Sequence, residues 1–179
     1  MPKISFSSFG RFGPLVLLWT AATLLLPGCG REKSERERIL LMIERIQEDV
    51  EDRNLERVLD RISEDFRDME NRSKSEVREF IADHFDRHHG IVVHILGTRF
   101  LGLEAGEADI ETEVSLSSGA AKVFRKLIRY SGQNYRFSLH LVRDEAGWWQ
   151  VSRAGWRFIT LEELFPESFK LLKKVFPDI

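Results

Sequence analysis

The chain has 179 residues, of which 42% are hydrophobic and 31% are charged, and it contains one cysteine. This composition excludes disordered chains, collagen-like repeats and small folds held together by disulfides. The length suits one domain of roughly 100 to 200 residues that buries a core of its own.

Residues 1–28 have the profile of a secretory signal. They contain Lys3 and Arg11 but no acidic residue, and the uncharged run from Phe12 to Leu26 has 15 residues. A membrane-spanning helix needs about 20 apolar residues, so this run is too short for a lasting span. We therefore expect the segment to be removed.

The run ends in Leu26-Pro27-Gly28-Cys29, which resembles the lipobox of bacterial lipoproteins. The resemblance implies a diacylglyceryl thioether on Cys29, cleavage after Gly28 and a chain that is anchored to the membrane without spanning it. Gly30 stands where Asp signals inner-membrane retention, which implies the periplasmic face of the outer membrane. The alternative is an ordinary secretory signal with a chance cysteine. A chain that begins at Cys29 has 25 basic and 29 acidic residues and a net charge of −4.

Capping residues and apolar spacing predict three amphipathic helices after the anchor. The first runs from about 35 to 52 behind a Ser34 cap, the second from an Asn54 cap to about Ser63, and the third from a Ser73 cap to Gly90. Only four residues separate Cys29 from Ser34. The domain is therefore expected to lie close to the membrane.

Alternating apolar and polar residues predict strands after the third helix. The predicted strands cover 91–103, 108–116, 134–143 and 148–159, with hairpin turns at 104–107 and 144–147 and a looser segment at 117–133. Helices followed by consecutive hairpins predict an α+β fold with an antiparallel sheet.

The C-terminal tail, residues 160–179, predicts an amphipathic helix. Thr160 and Glu163 form a capping box, and beyond Pro166 the residues Phe169, Leu172 and Phe176 share one helical stripe. Packing on the domain is the favoured interpretation, with docking of a partner or contact with the membrane surface as alternatives.

Three stretches resemble the nuclear transport factor 2-like superfamily, which includes polyketide-cyclase-like and ketosteroid-isomerase-like proteins. Residues 62–70 are similar to its step from the second helix into a short strand, 73–81 to its third helix, and 147–151 to its penultimate turn and last strand. The resemblance covers residues 34–159 and implies a cone, in which a curved sheet wraps around the helices and leaves a pocket at the open end. The predicted organisation is a signal at 1–28, a lipidated tether at 29–33, the cone at 34–159 and the tail at 160–179.

The resemblance also implies what a catalytic member would need. Isomerase-like relatives use a carboxylate base and a tyrosine on the first helix, whereas the only tyrosines here are Tyr130 and Tyr135. Asp65 or Asp68 stands near the position of the base, but either is more simply a solvated turn residue. We therefore predict no catalytic residue, with an isomerase-like or cyclase-like enzyme as the alternative.

His84 and His88 are four residues apart on the apolar face of the third helix, a spacing that can hold zinc. Phe85 takes the place of the glutamate in the metalloprotease pattern, and no free cysteine remains as a further ligand. We predict neither a metal nor another cofactor. The two histidines remain pocket candidates together with Tyr135 and Trp149.

The charge distribution divides the chain in two. Residues 29–119 have a net charge of −9, and residues 120–160 have a net charge of +6. The basic residues either form a surface for anionic headgroups, lipopolysaccharide or an acidic partner, or pair with the acidic helices of the same molecule. The candidates are Lys122, Arg125, Lys126, Arg129, Arg136, Arg143, Arg153 and Arg157.

These patterns together predict a lipid-anchored, non-catalytic binding or interaction module of the bacterial cell envelope. Its expected partners are the membrane, through the lipid on Cys29, and an unknown envelope protein or a small apolar ligand. Nucleic acid is not an expected partner, because an exported and lipid-anchored domain does not meet it.

Overall fold

The computed structural model describes residues 34–119 and 132–175, in which two helices, a short strand, a third helix, four strands and two further helices follow one another. The elements are α1 Glu35–Glu51, α2 Leu55–Asp60, β1 Ile62–Asp68, α3 Lys74–Arg87, β2 Val92–Glu104, β3 Glu107–Ser117, β4 Gln133–Arg143, β5 Trp149–Phe158, α4 Leu161–Leu164 and α5 Pro166–Val175. The predictions for Gly28, Cys29, Lys122, Arg125, Lys126 and Arg129 lie outside the described residues.

The predicted helix starts are confirmed by their caps. Ser34 and Ser73 each accept a hydrogen bond from the backbone N–H three residues later, and the glutamate at that position bonds back to the cap. Two predicted ends differ by a few residues. α2 ends at Asp60 because β1 already begins at Ile62, and α3 ends at Arg87 because His88 has an extended backbone.

The sheet has the order β1-β5-β4-β3-β2. β2 to β5 are antiparallel neighbours, as predicted, but β1 pairs in parallel with β5, so the sheet is mixed and the expectation of a purely antiparallel sheet is wrong. No hairpin joins β1 to β5, and a parallel pair is therefore open to them. Register shifts in β2, at Ile95/Gly97 and Phe100/Gly102, are sites where a bulge bends the strand.

The core lies between the helices and one face of the curved sheet. Ile39 and Met42 of α1 are buried against Ile110 of β3 and Leu141 of β4, and each of the four is at most 4% exposed. This burial orients α1 along the sheet because its apolar stripe has no other surface to cover. The α+β fold with helices against the curved sheet is thus confirmed.

The tail forms two helices and not one. The Thr160 cap is confirmed, but α4 ends at Leu164, and Phe165 has a non-helical backbone before Pro166 starts α5. A residue before proline is disfavoured in helical conformation, which explains the break. The side chains of Phe169 and Leu172, and the whole of 176–179, lie outside the described part. None of the described helices is long and apolar enough to cross a membrane.

Gly90 provides a test of the turn between α3 and β2. Its φ is +63°, and a Cβ there would lie 2.6 Å from the carbonyl oxygen of Gly119. We expect Gly90→Ala to lower the free energy of unfolding by at least about 1 kcal/mol, because alanine disfavours a positive φ and its Cβ would collide with the carbonyl oxygen of Gly119. Gly97→Ala is the matched control, since a Cβ at Gly97 meets nothing within 4 Å. Urea unfolding of the two variants measures the difference; equal stabilities would contradict this account of the turn.

Candidate functional site

The turn that follows β1 is built around Asp68. One carboxylate oxygen of Asp68 accepts the backbone N–H groups of Glu70 and Arg72, both at 2.9 Å, and the other accepts Nε–H of Arg72 at 2.6 Å. Asn71 takes a positive φ of 62°, which asparagine tolerates better than most residues. The side chain of Asp68 is 0% exposed. Asp68 is therefore a turn residue, but a buried one, and the expectation that it is solvated is wrong.

Arg72 fills the space between α3 and β5. Its guanidinium carbon lies 4.4 Å from the ring centroid of Phe80 and 5.4 Å from that of Trp156. A guanidinium within about 6 Å of an aromatic centroid is attracted to the ring face. The Nη2 atom of Arg72 is buried and has no hydrogen-bond partner among the described residues. The side chain is thus held by Asp68, by Glu70 at 3.4 Å and by two rings, and its Nη2 group is unused.

The pKa of Asp68 is lowered from its ordinary value by this arrangement. Burial alone would raise it, but the hydrogen bonds from Arg72 and from the backbone of Glu70, with the positive charge of Arg72, outweigh burial. A carboxylate with a low pKa is a weak base, because it gains little by taking a proton. The electrostatics therefore oppose a general-base role for Asp68.

Four aromatic side chains line the sheet beside Arg72, and we call them the aromatic wall: Tyr135, Phe137, Trp156 and Phe158. Phe137 and Trp156 have ring centroids 6.3 Å apart, and Tyr135 meets Phe158 edge to face at 6.0 Å. Met69, Phe80 and Phe158 remain 62%, 45% and 59% exposed. The wall and its neighbours therefore present apolar surface to solvent next to the buried ion pair.

The histidine candidates contact each other. The rings of His84 and His88 have centroids 4.3 Å apart, and His84 is exposed. Desolvation of the ring by its neighbours, together with repulsion from His88 and Arg87, lowers the pKa of His84 from its ordinary value. No group of three His, Cys, Asp or Glu side chains with metal-site geometry occurs in 34–119 and 132–175.

Trp149 and Tyr135 do not share a pocket, because they lie at opposite ends of the β4–β5 pair. Trp149 pairs with Arg143, whereas Tyr135 pairs with Phe158. Trp149 is 4% exposed and donates its Nε1–H to Glu35 at 2.9 Å. The four pocket candidates are therefore distributed over three places.

The described basic candidates mostly have carboxylate partners within the chain. Arg136 bonds Glu113 at 2.6 Å, Arg157 bonds Glu163 at 2.7 Å, and Arg143 lies 3.6 Å from Glu35, whereas Arg153 is exposed. Arg143 and Arg157 thus pair with carboxylates on helices α1 and α4, whereas the partner of Arg136 lies on strand β3. Strand alternation places Arg136, Arg153 and Arg157 on the outer face and Arg143 on the helix side.

Arg72 is the principal residue that sequence reasoning missed. Its position four residues after Asp68 is compatible with an ion pair, but its aromatic neighbours come from α3 and β5 and are distant in sequence. Asp68 itself carried a usable signal. It lies two residues after Phe66, and a period of two places both on the buried face of β1.

Comparison with solved structures identifies the fold. The chain is similar to a nuclear transport factor 2-like protein of unknown function from Pseudomonas aeruginosa, with a TM-score of 0.55, 15% identity, and coverage of 69% of this chain and 99% of the other. A protein with a cystatin-like fold from Nostoc punctiforme matches with a TM-score of 0.56 and 13% identity over 72% and 95%. A hexachlorocyclohexane dehydrochlorinase from Novosphingobium barchaimii matches with a TM-score of 0.53 and 14% identity over 70% and 86%.

These likenesses, together with the helices on a curved mixed sheet, define a nuclear transport factor 2-like cone. No family model and no curated protein sequence matches the chain. At these identities the likeness concerns the fold alone, and activity must be argued from the site.

Proposed function

We propose that this protein is a lipid-anchored, non-catalytic binding module of the bacterial cell envelope. The observation that carries the non-catalytic part is the Asp68–Arg72 pair. The carboxylate at the end of β1 is fully buried, accepts three hydrogen bonds and has a lowered pKa. A general base needs a free lone pair within reach of its substrate, whereas three of the roughly four lone-pair positions of Asp68 are filled and its side chain is 0% exposed.

The alternative is a small-molecule enzyme that uses the same end of the cone, a role consistent with the dehydrochlorinase among the structural neighbours. For Asp68 to act as a base, Arg72 would have to leave its place between Phe80 and Trp156. Such a movement would strand a carboxylate in an apolar site, at a cost of several kcal/mol. The site chemistry therefore favours binding over turnover.

The proposed ligand is a small apolar molecule that lies on the exposed side of the aromatic wall. Met69, Phe80 and Phe158 each expose more than two fifths of their surface there. A contiguous apolar surface of this kind is typical of a ligand or partner site. An envelope protein that inserts an apolar side chain is the alternative occupant.

The anchor is proposed from the lipobox. Cys29 would carry the lipid, and the four residues before Ser34 would keep the cone near the outer membrane on its periplasmic side. Two or three acyl chains hold a protein stably to a bilayer, whereas one chain holds it only marginally.

Native mass spectrometry of the protein purified from bacterial membranes tests the binding role. We expect a small apolar molecule to be retained, and Trp156→Ala to lower its occupancy about tenfold through lost aromatic contact. Leu101→Ala, which removes a side chain that is 59% exposed on β2, is the control and should retain the molecule. Equal occupancy in all three proteins would contradict a binding site at the aromatic wall. Chemical conversion of the retained molecule would contradict a non-catalytic role.

A further inference from the structure

A cleft lined by four arginines lies beside the β4–β5 hairpin. Arg38 and Arg45 come from α1, Arg61 from the turn between α2 and β1, and Arg143 from the end of β4. The cavity has a volume of about 340 Å³. This volume falls within the usual range of small-molecule sites, about 300 to 1,000 Å³.

The cleft is separate from the Asp68 site. Trp149 lines the cleft, and Trp156 covers Arg72. The two tryptophans are seven residues apart on β5, which corresponds to about 23 Å of strand. A ligand in the cleft would therefore not touch the aromatic wall.

The charge of the cleft is strongly positive. No acidic side chain lines it among the described residues, and Glu35 reaches two of its arginines from the edge, Arg38 at 3.7 Å and Arg143 at 3.6 Å. These distances exceed those of a close charge-assisted hydrogen bond, about 2.7 to 2.9 Å. The guanidinium groups of Arg38 and Arg143 thus share the carboxylate of Glu35.

Arg61 supplies an unused donor. Its Nε atom is buried and hydrogen-bonds to no described atom. A buried donor without a partner is costly, so the guanidinium of Arg61 has no hydrogen bond at Nε to give up when it turns towards a ligand oxygen.

The other lining residues are apolar. The sides of the cleft also include Leu41 and Met42 of α1 and the tryptophans Trp148 and Trp149. Trp148 is 62% exposed. A compact anion with an attached apolar body fits this combination. The planar guanidinium of arginine can donate two parallel hydrogen bonds to a pair of phosphate oxygens. Several arginines from different elements therefore suit a group with three or four oxygens.

We infer that this cleft binds a phosphate group, carried either by a soluble phosphate ester or by the headgroup of an anionic phospholipid. The shared chemistry is a tetrahedral anion held by Arg45 and Arg61, with an apolar body against Met42 and Trp148. Because the site lies in the folded domain, the inference holds whether or not Cys29 carries a lipid.

The test uses the full chain with Cys29→Ser in neutral detergent, titrated with inorganic phosphate by calorimetry. We expect saturable binding that weakens about tenfold in Arg45→Gln and in Arg61→Gln, the loss typical of one charge-assisted hydrogen bond. Arg153→Gln removes an exposed arginine on the outer face and is the matched control for charge. It should bind phosphate within about twofold of the parent.

Flotation with vesicles distinguishes the two sources. Arginine-dependent flotation with vesicles of phosphatidylglycerol and phosphatidylcholine, absent for phosphatidylcholine alone, assigns the phosphate to a lipid headgroup. Phosphate binding without such flotation assigns it to a soluble ester. Arg45 is exposed, so its variant keeps the test informative if Arg61→Gln does not fold. The inference is overturned if neither ligand binds, or if Arg153→Gln weakens binding as much as Arg45→Gln.

Discussion

Arg72→Ala is expected to lower the free energy of unfolding by about 3 kcal/mol at neutral pH, the cost typical of breaking a buried ion pair. The substitution leaves the carboxylate of Asp68, which is 0% exposed, without its close cation. It also removes the stacking of the guanidinium on Phe80 and Trp156. Chemical denaturation at several pH values measures both the size and the cause of the loss.

The pH dependence separates charge from packing. In the parent protein, the lowered pKa of Asp68 contributes stability above the ordinary carboxyl pKa of 3.8, and this contribution is lost as the pH falls through the lowered value. In Arg72→Ala, the side-chain hydrogen bond and the positive charge of Arg72 are lost while burial and the backbone hydrogen bonds remain, so the pKa of Asp68 rises relative to that in the parent. Protonation then relieves the buried charge in acid. The difference in the free energy of unfolding between the parent and Arg72→Ala should therefore become smaller as the pH falls.

Lys74→Ala is the matched control. Lys74 pairs with Glu64 at 2.7 Å, but Glu64 is 89% exposed, so the loss should stay below about 1 kcal/mol. If Arg72→Ala loses no more unfolding free energy than Lys74→Ala, the Asp68–Arg72 pair does not stabilise the turn. A large deficit that does not change with pH would show that the aromatic contacts dominate, contrary to this account.

Cys29→Ser is expected to move the protein from the membrane fraction to the soluble fraction of the envelope, or to leave an unprocessed precursor. The reason is chemical, because the hydroxyl of serine does not receive the thioether-linked lipid. Burial of acyl chains supplies roughly 0.8 kcal/mol per methylene, so loss of the lipid removes nearly all of the membrane affinity. Labelling with radioactive palmitate and fractionation of the cells measure the effect.

Ser34→Ala is the control for Cys29→Ser, because it changes a residue close to the anchor and leaves the lipobox intact. It weakens the cap of α1 but should label with palmitate as the parent does. Palmitate labelling of Cys29→Ser equal to that of Ser34→Ala would contradict the assignment of the lipid to Cys29.

The local features of this fold could be read from the sequence. Caps such as Ser34 and Ser73 depend on residues three positions apart, and the strands β3 and β4 show the period of two that one buried face produces. The parallel pairing of β1 with β5 could not be read, because it joins Ile62 to Val151 across most of the domain.

The candidate site was harder to predict for the same reason. The surroundings of Arg72 come from Phe80 and Trp156, and the cleft joins residues of α1, of the α2–β1 turn and of the β4–β5 hairpin. Charge counting correctly separated an acidic half from a basic half. It left open whether the arginines face a partner or their own chain, and only side-chain geometry pairs Arg136 with Glu113 and Arg157 with Glu163.

The most direct test of the central claim is the intact mass of the mature protein purified from bacterial membranes. Lipid anchoring predicts a chain that begins at Cys29, with the mass of residues 29–179 plus a diacylglyceryl group, with or without a further acyl chain. A chain that begins elsewhere, or that begins at Cys29 with a free thiol, would contradict the account.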